Sequence, residues 1–150
     1  MHPFPHRYHV SAQGSAGGSV LVTTPDAPAL ETHAPPEFDG PGGYWSPEAL
    51  LVAAVADCYI LSFRAVARAS KLEWSSLCVD VEGVLDRVEG VTRFVGFTVK
   101  PRLEILSAER ETLARSVLDK AKRACLVTNS LTAACELVPS LSIAPAGLAG

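Results

Sequence analysis

The stretch "SPEALLVAAVADCYILSFRAVARAS" constrains the fold more than any other part of the chain. Ser46 is a good N-cap, Pro47 sits where its missing N–H costs nothing, and Glu48 favours the positive end of a helix. The pattern predicts a helix over Pro47–Ser70, about 36 Å long at ~1.5 Å per residue. Its polar residues Asp57, Arg64 and Arg68 cluster in a narrow sector, and the rest is mostly Leu, Val, Ala, Ile, Phe and Cys. A helix apolar over most of its circumference is buried on several sides. It reads as a central helix, packed on a sheet and on a partner chain. Composition points the same way: the chain is 48% apolar and only 19% charged. A domain of 150 residues has too much surface to hide so many apolar groups alone.

Around this helix the sequence alternates with period two. Arg7 to Gln13 and Ser19 to Thr24 read as strands joined by a turn at Gly14 to Gly18, with Leu30 to His33 as a third short strand. Downstream, Val79 and Val81 alternate with Asp80 and Glu82 within Leu77 to Leu85. Over Val91 to Ile105, Val95, Phe97, Val99, Leu103 and Ile105 share one face. Glu89-Gly90 is the hairpin turn, and Pro101 suits an edge or a bulge. Ser107 caps a second helix whose apolar stripe runs from Leu113 to Cys125, with Lys120, Lys122 and Arg123 in its last turn. A final strand spans Leu131 to Ile143, and the tail "APAGLAG" shows no packing pattern. The order β-β-(β)-α-β-β-α-β implies a single α+β domain over 1–150 with antiparallel pairing.

Net charge is −3 and no basic block occurs, which argues against nucleic acid as a partner. The longest uncharged apolar run, Ala49 to Ala56, is too short to span a bilayer, and "MHPFPHRYHV" has no apolar core of a secretory signal. The expected compartment is the cytoplasm, where thiols stay reduced. Of His2, His6, His9 and His33, the three near the chain start alternate around Pro and Arg and read as surface residues. The cysteines Cys58, Cys78, Cys125 and Cys135 form no C-x-x-C and have no zinc-finger spacing to a His, so neither a metal nor a cofactor is expected.

Each cysteine has a bland reading. Cys58, among apolar neighbours, is by default a core residue, as are Cys78 and Cys135. Cys125 ends a helix just before the polar "TNS" turn, where packing and chemistry weigh equally.

The residues also resemble a known family. "SPEALLVAAVADCYILSF" is similar to the helix signature of the OsmC/Ohr family, in which Pro-Glu opens the central helix and a reactive cysteine follows ten residues after the Glu. "RACLVTNSL" resembles its second cysteine motif, and "GVLDRVEGVTRFVGFTV" its long hairpin. The resemblance runs from about Tyr8 to Ile143. It implies an intertwined homodimer that reduces organic hydroperoxides, re-reduced by a small dithiol or lipoyl-type reductant. It implies Cys58 as the peroxidatic thiolate, Cys125 as the resolving cysteine and Glu48 as a positioning carboxylate. Two positions depart from the pattern. Ser19 stands after Gly-Gly where the family carries an Arg that stabilises the thiolate, and "CLV" replaces the usual Cys-Pro. Arg7, Arg64, Lys122 and Arg123 are the candidate substitutes for that cation. Along one straight helix, Glu48 and Cys58 lie about 15 Å apart, so a role for Glu48 at Cys58 requires dimer packing. Two function classes therefore stand side by side: a cysteine-based hydroperoxide reductase, and a dimeric binding protein for a hydrophobic small molecule.

Overall fold

The computed structural model describes residues 1–145; the rest of the "APAGLAG" tail lies outside the described residues. The chain divides into two compact units, Met1–Leu51 and Val52–Gly150. The first holds a three-stranded antiparallel sheet of β1 (Ser11–Gln13), β2 (Val20–Thr24) and β3 (Ala27–Thr32), in that spatial order. Its leading strand is shorter than the sequence suggests, starting at Ser11 rather than Arg7. Thr32 is buried and its hydroxyl donates to the Val20 carbonyl at 3.4 Å, and the His33 N–H donates to the Trp45 carbonyl at 2.9 Å.

Helix α1 (Pro47–Ala69) begins where the cap chemistry places it: buried Ser46 Oγ accepts from the Ala49 N–H at 3.1 Å. It ends one residue before the expected Ser70. In the second unit, β4 (Trp74–Val88) and β5 (Val91–Ile105) form the long hairpin. The turn residues Glu89 and Gly90 both have positive φ, 52° and 79°, the geometry a two-residue hairpin requires. The alternation of β5 is as the sequence indicates: Phe97, Val99, Leu103 and Ile105 are buried. They pack with Val55, Tyr59, Phe63 and Ala67 of α1 and with Ala114, Val117, Leu118 and Ala121 of α2 (Glu111–Ala124) as the buried core. The sheet approaches α1 closely at Gly83, where a Cβ would come within 2.8 Å of Val52 Cγ2 and 3.0 Å of the Phe94 ring. A single-turn 3-10 helix precedes α2, and Ser107 Oγ accepts the Glu109 N–H at 3.3 Å, so the expected cap acts on that turn.

Three expectations change. The last segment is not one antiparallel strand. It is two short ones, β6 (Ala134–Leu137) and β7 (Ser140–Ile143), both parallel to β5 and separated by Val138-Pro139. The α2–α3 connection returns the chain to the same end of β5, which makes the pairing parallel. Pro101 is buried in the middle of a central strand rather than at an edge. It is tolerated because β6 pairs with Gly96–Val99 and β7 with Arg102–Ile105, which leaves Lys100 and Pro101 opposite the interruption. Finally, α1 is long and apolar enough to cross a membrane by length and composition. Its Val55–Tyr59–Phe63–Ala67 face is nevertheless core, while Leu61 remains 53% exposed on another side. One chain alone covers a single face of this helix.

Candidate active site

Cys58 stands midway along α1. Residues three, four and seven positions apart share a helix face, so Ala54, Cys58, Leu61, Ser62 and Ala65 line one side. With Leu126 and Val127 they enclose an apolar groove of about 450 Å³. Cys58 is only 9% exposed, and its Sγ lies 3.9 Å from Ser62 Oγ. Asp57 is the charged side chain lining this groove, and among the described residues no basic one does.

The opposite wall follows from how α2 stops. Cys125 adopts an extended conformation (φ −67°, ψ 103°), closing α2 and opening the four-residue α3 (Leu126–Asn129), which the sequence reading took for a turn. Its N–H donates to the Lys122 carbonyl at 3.3 Å. Its own carbonyl accepts the Asn129 N–H at 3.0 Å and the Thr128 hydroxyl at 3.2 Å. Cys125 itself is 1% exposed. The two residues that follow it face the Cys58 groove, so the structure brings Cys58 and the Cys125 turn to one apolar space. Both thiols are free.

Glu48 does not line this groove. It lines a cleft within Met1–Leu51, together with Val20, Val22 and His33. Ser19 is not in that lining; Val20 occupies the inward position beside it.

Tyr59, next to Cys58, points away from the groove and donates its hydroxyl to the Leu118 carbonyl at 2.9 Å. Burial pushes its phenol well above the ordinary tyrosine range, with Asp119 and Cys125 adding to the effect. The folded protein therefore keeps a proton that the unfolded chain releases above pH ~10. The unfolded state then binds fewer protons, and stability falls as pH rises past that point. Urea midpoints measured from pH 9 to 11 should decline in the wild type and decline less in Tyr59→Phe. Equal slopes would place the cause elsewhere.

The remaining cysteines depart from the core reading. Cys78 is exposed on the outer face of β4 beside Asp80, and Arg102 Nη2 donates to its Sγ at 3.0 Å. Cys135 is half-buried and lines a polar cleft of about 710 Å³ with Lys122, Arg123, Thr128 and Asn129. Burial raises its thiol pKa, Lys122 pulls it down, and Cys125 raises it further. Strand parity carried the signal for Cys78, which shares a face with Asp80 and Glu82; nothing local carried it for Cys135 or His33. Among the described residues, no group of three or more His, Cys, Asp or Glu is placed to hold a metal ion.

This architecture has known counterparts. A crystal structure of an organic hydroperoxide resistance protein from Legionella pneumophila matches with a TM-score of 0.75 at 23% identity, covering 93% of this chain and 99% of that one. One from Elizabethkingia anophelis matches with a TM-score of 0.76 at 18% identity, over 95% of this chain and 100% of the other. An OsmC-like protein of unknown function from Vibrio cholerae matches with a TM-score of 0.79 at 15% identity, over 91% and 99%. In sequence, the uncharacterized protein YmaD of Bacillus subtilis is 29% identical over 112 residues, covering 73% of this chain and 75% of its own. The family model described as OsmC-like protein matches residues 40–139, which include the α1 cysteine, the long hairpin and the Cys125 turn. The chain belongs to the OsmC-like protein family.

Proposed function

We propose that this protein, as one OsmC-like domain over 1–150, reduces organic hydroperoxides at Cys58. The observation that carries the reading is the shared groove: Cys58 and the residues following Cys125 line one apolar space suited to an alkyl or aryl peroxide. The Cys58 thiolate attacks the O–O bond. An S–O bond forms, the O–O bond breaks, and the leaving alkoxide takes a proton to become the alcohol. The Cys125 thiol then displaces water from the sulfenic acid to give a Cys58–Cys125 disulfide. A small dithiol or lipoyl-type reductant restores both thiols by exchange.

A homodimer belongs to this reading. Leu61 and the groove face of α1 lack cover within one chain, and a second copy would supply it. Glu48, remote from Cys58 along α1, would then act across the interface. Four free thiols suit a reducing compartment such as the cytoplasm.

The competing reading is a binding protein without turnover. Its support is the lining: among the described residues, the groove holds Asp57 and no Lys or Arg to pair with a thiolate. The deciding experiment is consumption of cumene hydroperoxide with dithiothreitol or dihydrolipoamide as reductant, followed by peptide mapping of the oxidised protein. Turnover with a Cys58–Cys125 crosslink supports the reductase. Linkage of other cysteines, or no turnover with either reductant, supports the binding protein.

A further inference from the structure

A disulfide between Cys58 and Cys125 is poorly placed for a reductant. Cys58 is 9% exposed at the edge of an apolar groove, and Cys125 is 1% exposed. Thiol–disulfide exchange depends on access to the sulfur attacked. The turn that holds Cys125 has a second side, however. Leu126 and Val127 line the Cys58 groove, while Lys122, Arg123, Thr128 and Asn129 line the polar cleft of about 710 Å³. Segment 122–129 therefore borders both spaces, and Cys125 lies within it.

Cys135 lines the same polar cleft from β6. Its direction follows from the register: Cys135 pairs in parallel with Phe97, and Leu137 with Val99. Paired residues of neighbouring strands point to one side of a sheet, and Phe97 and Val99 are core residues. Cys135 therefore turns toward the helices, at the margin where α2 ends, and the open cleft leaves it half-buried. Burial raises its thiol pKa most, and Lys122 and Cys125 are both near enough to act on its charge, the first lowering the pKa and the second raising it. The turn opposite is held in place: Asn129 Nδ2 donates to the Arg123 carbonyl at 3.0 Å, and the Thr128 hydroxyl to the Cys125 carbonyl at 3.2 Å. An enclosed thiol and an open one thus meet at one turn, beside a lysine that favours the thiolate of the open one.

We propose that Cys135 is a third catalytic cysteine, which draws the disulfide out of the groove by exchange at Cys125. The proposal rests on the reductase reading and extends it to the return half of the cycle. The Cys135 thiolate attacks Cys125 Sγ. The Cys125–Cys135 bond forms, the Cys58–Cys125 bond breaks, and Cys58 leaves as a thiolate that takes up the proton Cys135 gave away. No electrons enter or leave the protein in this step. The dithiol reductant then attacks Cys135 Sγ from the polar cleft and frees Cys125. Its second thiol closes on the mixed disulfide, which releases Cys135 and a cyclic disulfide. Cys58 is thereby free for another peroxide before any reductant arrives, and the apolar peroxide and the reductant use different openings.

The test is to add a modest excess of cumene hydroperoxide to the reduced full chain without reductant, block thiols with N-ethylmaleimide at intervals, and map the crosslinks. In the wild type a Cys58–Cys125 link should form first and give way to Cys125–Cys135. About two equivalents of peroxide should be consumed, the second leaving Cys58 as a sulfenic acid that dimedone traps. Cys135→Ser should stop at about one equivalent with a lasting Cys58–Cys125 link, which dithiothreitol should reduce at least about tenfold more slowly than it restores the wild type. Cys58→Ser should form no Cys125–Cys135 link with peroxide in the same time, yet diamide should join those two thiols in that variant. A Cys125–Cys135 link that depends on Cys58 is a product of the reductase; one that peroxide forms without Cys58 is not. The wild-type stoichiometry is a readout that needs no variant to fold. About one equivalent in the wild type, with a lasting Cys58–Cys125 link, overturns the relay and leaves the reductase reading standing. Failure of diamide to join Cys125 and Cys135, or a peroxide-formed link between them in Cys58→Ser, also overturns the relay. No peroxide consumption at all ends both.

Discussion

Replacing Cys58 with serine should lower cumene hydroperoxide consumption to the protein-free rate, because an alcohol at that position cannot attack the O–O bond at neutral pH. The expected pattern among the other cysteines follows from their placement. Cys125→Ser should consume about one equivalent of peroxide per protein in the absence of reductant and accumulate a Cys58 sulfenic acid that dimedone traps. Cys78→Ser should turn over like the wild type, since Cys78 lies exposed on β4, outside the groove lining. Residual turnover in Cys58→Ser at the wild-type rate would end the reductase reading.

The largest effect on stability should come from Phe63→Ala. Phe63 is fully buried on α1 and meets Trp74 edge to face, ring centroids 5.3 Å apart. Removing the ring deletes apolar burial and leaves a hole between the helix and the hairpin. The expected loss is about 3–5 kcal/mol, readable as a lower urea midpoint with Trp fluorescence as the probe. A loss below about 1 kcal/mol would mean that the site collapses around the missing ring, and that the packing of α1 on β4 is looser than the contact suggests.

Where the sequence was legible, the determinant was local. Ser46-Pro47-Glu48 defines a helix start through hydrogen bonds and charge within one turn, and the structure begins α1 there. The long β4–β5 hairpin was legible because a one-residue slip would turn Phe97, Val99 and Ile105 outward. The parallel pairing of β6 and β7 depends on where α2 and α3 deliver the chain, which no short window encodes. Pro101 misled for the same reason: its tolerance depends on a break in strands some forty residues away, and within its own strand it reads as an edge residue. The candidate site divides similarly. The spacing of Cys58 and Cys125 to their motifs is local, whereas the grooves lined by Cys58, by Cys135 and by His33 exist only once distant segments meet.

The break at Val138-Pro139 has a consequence for how the molecule avoids self-assembly of the wrong kind. On one flank of the hairpin, β6 and β7 are four residues each and are interrupted by a proline, so they offer no continuous ladder for a foreign strand to extend. On the other flank, β4 runs fifteen residues and pairs only with β5 within its sheet. Fibril growth by strand addition needs both flanks of a sheet to accept a neighbour, so that each added layer presents a fresh template. The long continuous edge of this sheet is therefore β4, and the proline-interrupted flank is the one on which an added strand finds the least ladder to extend.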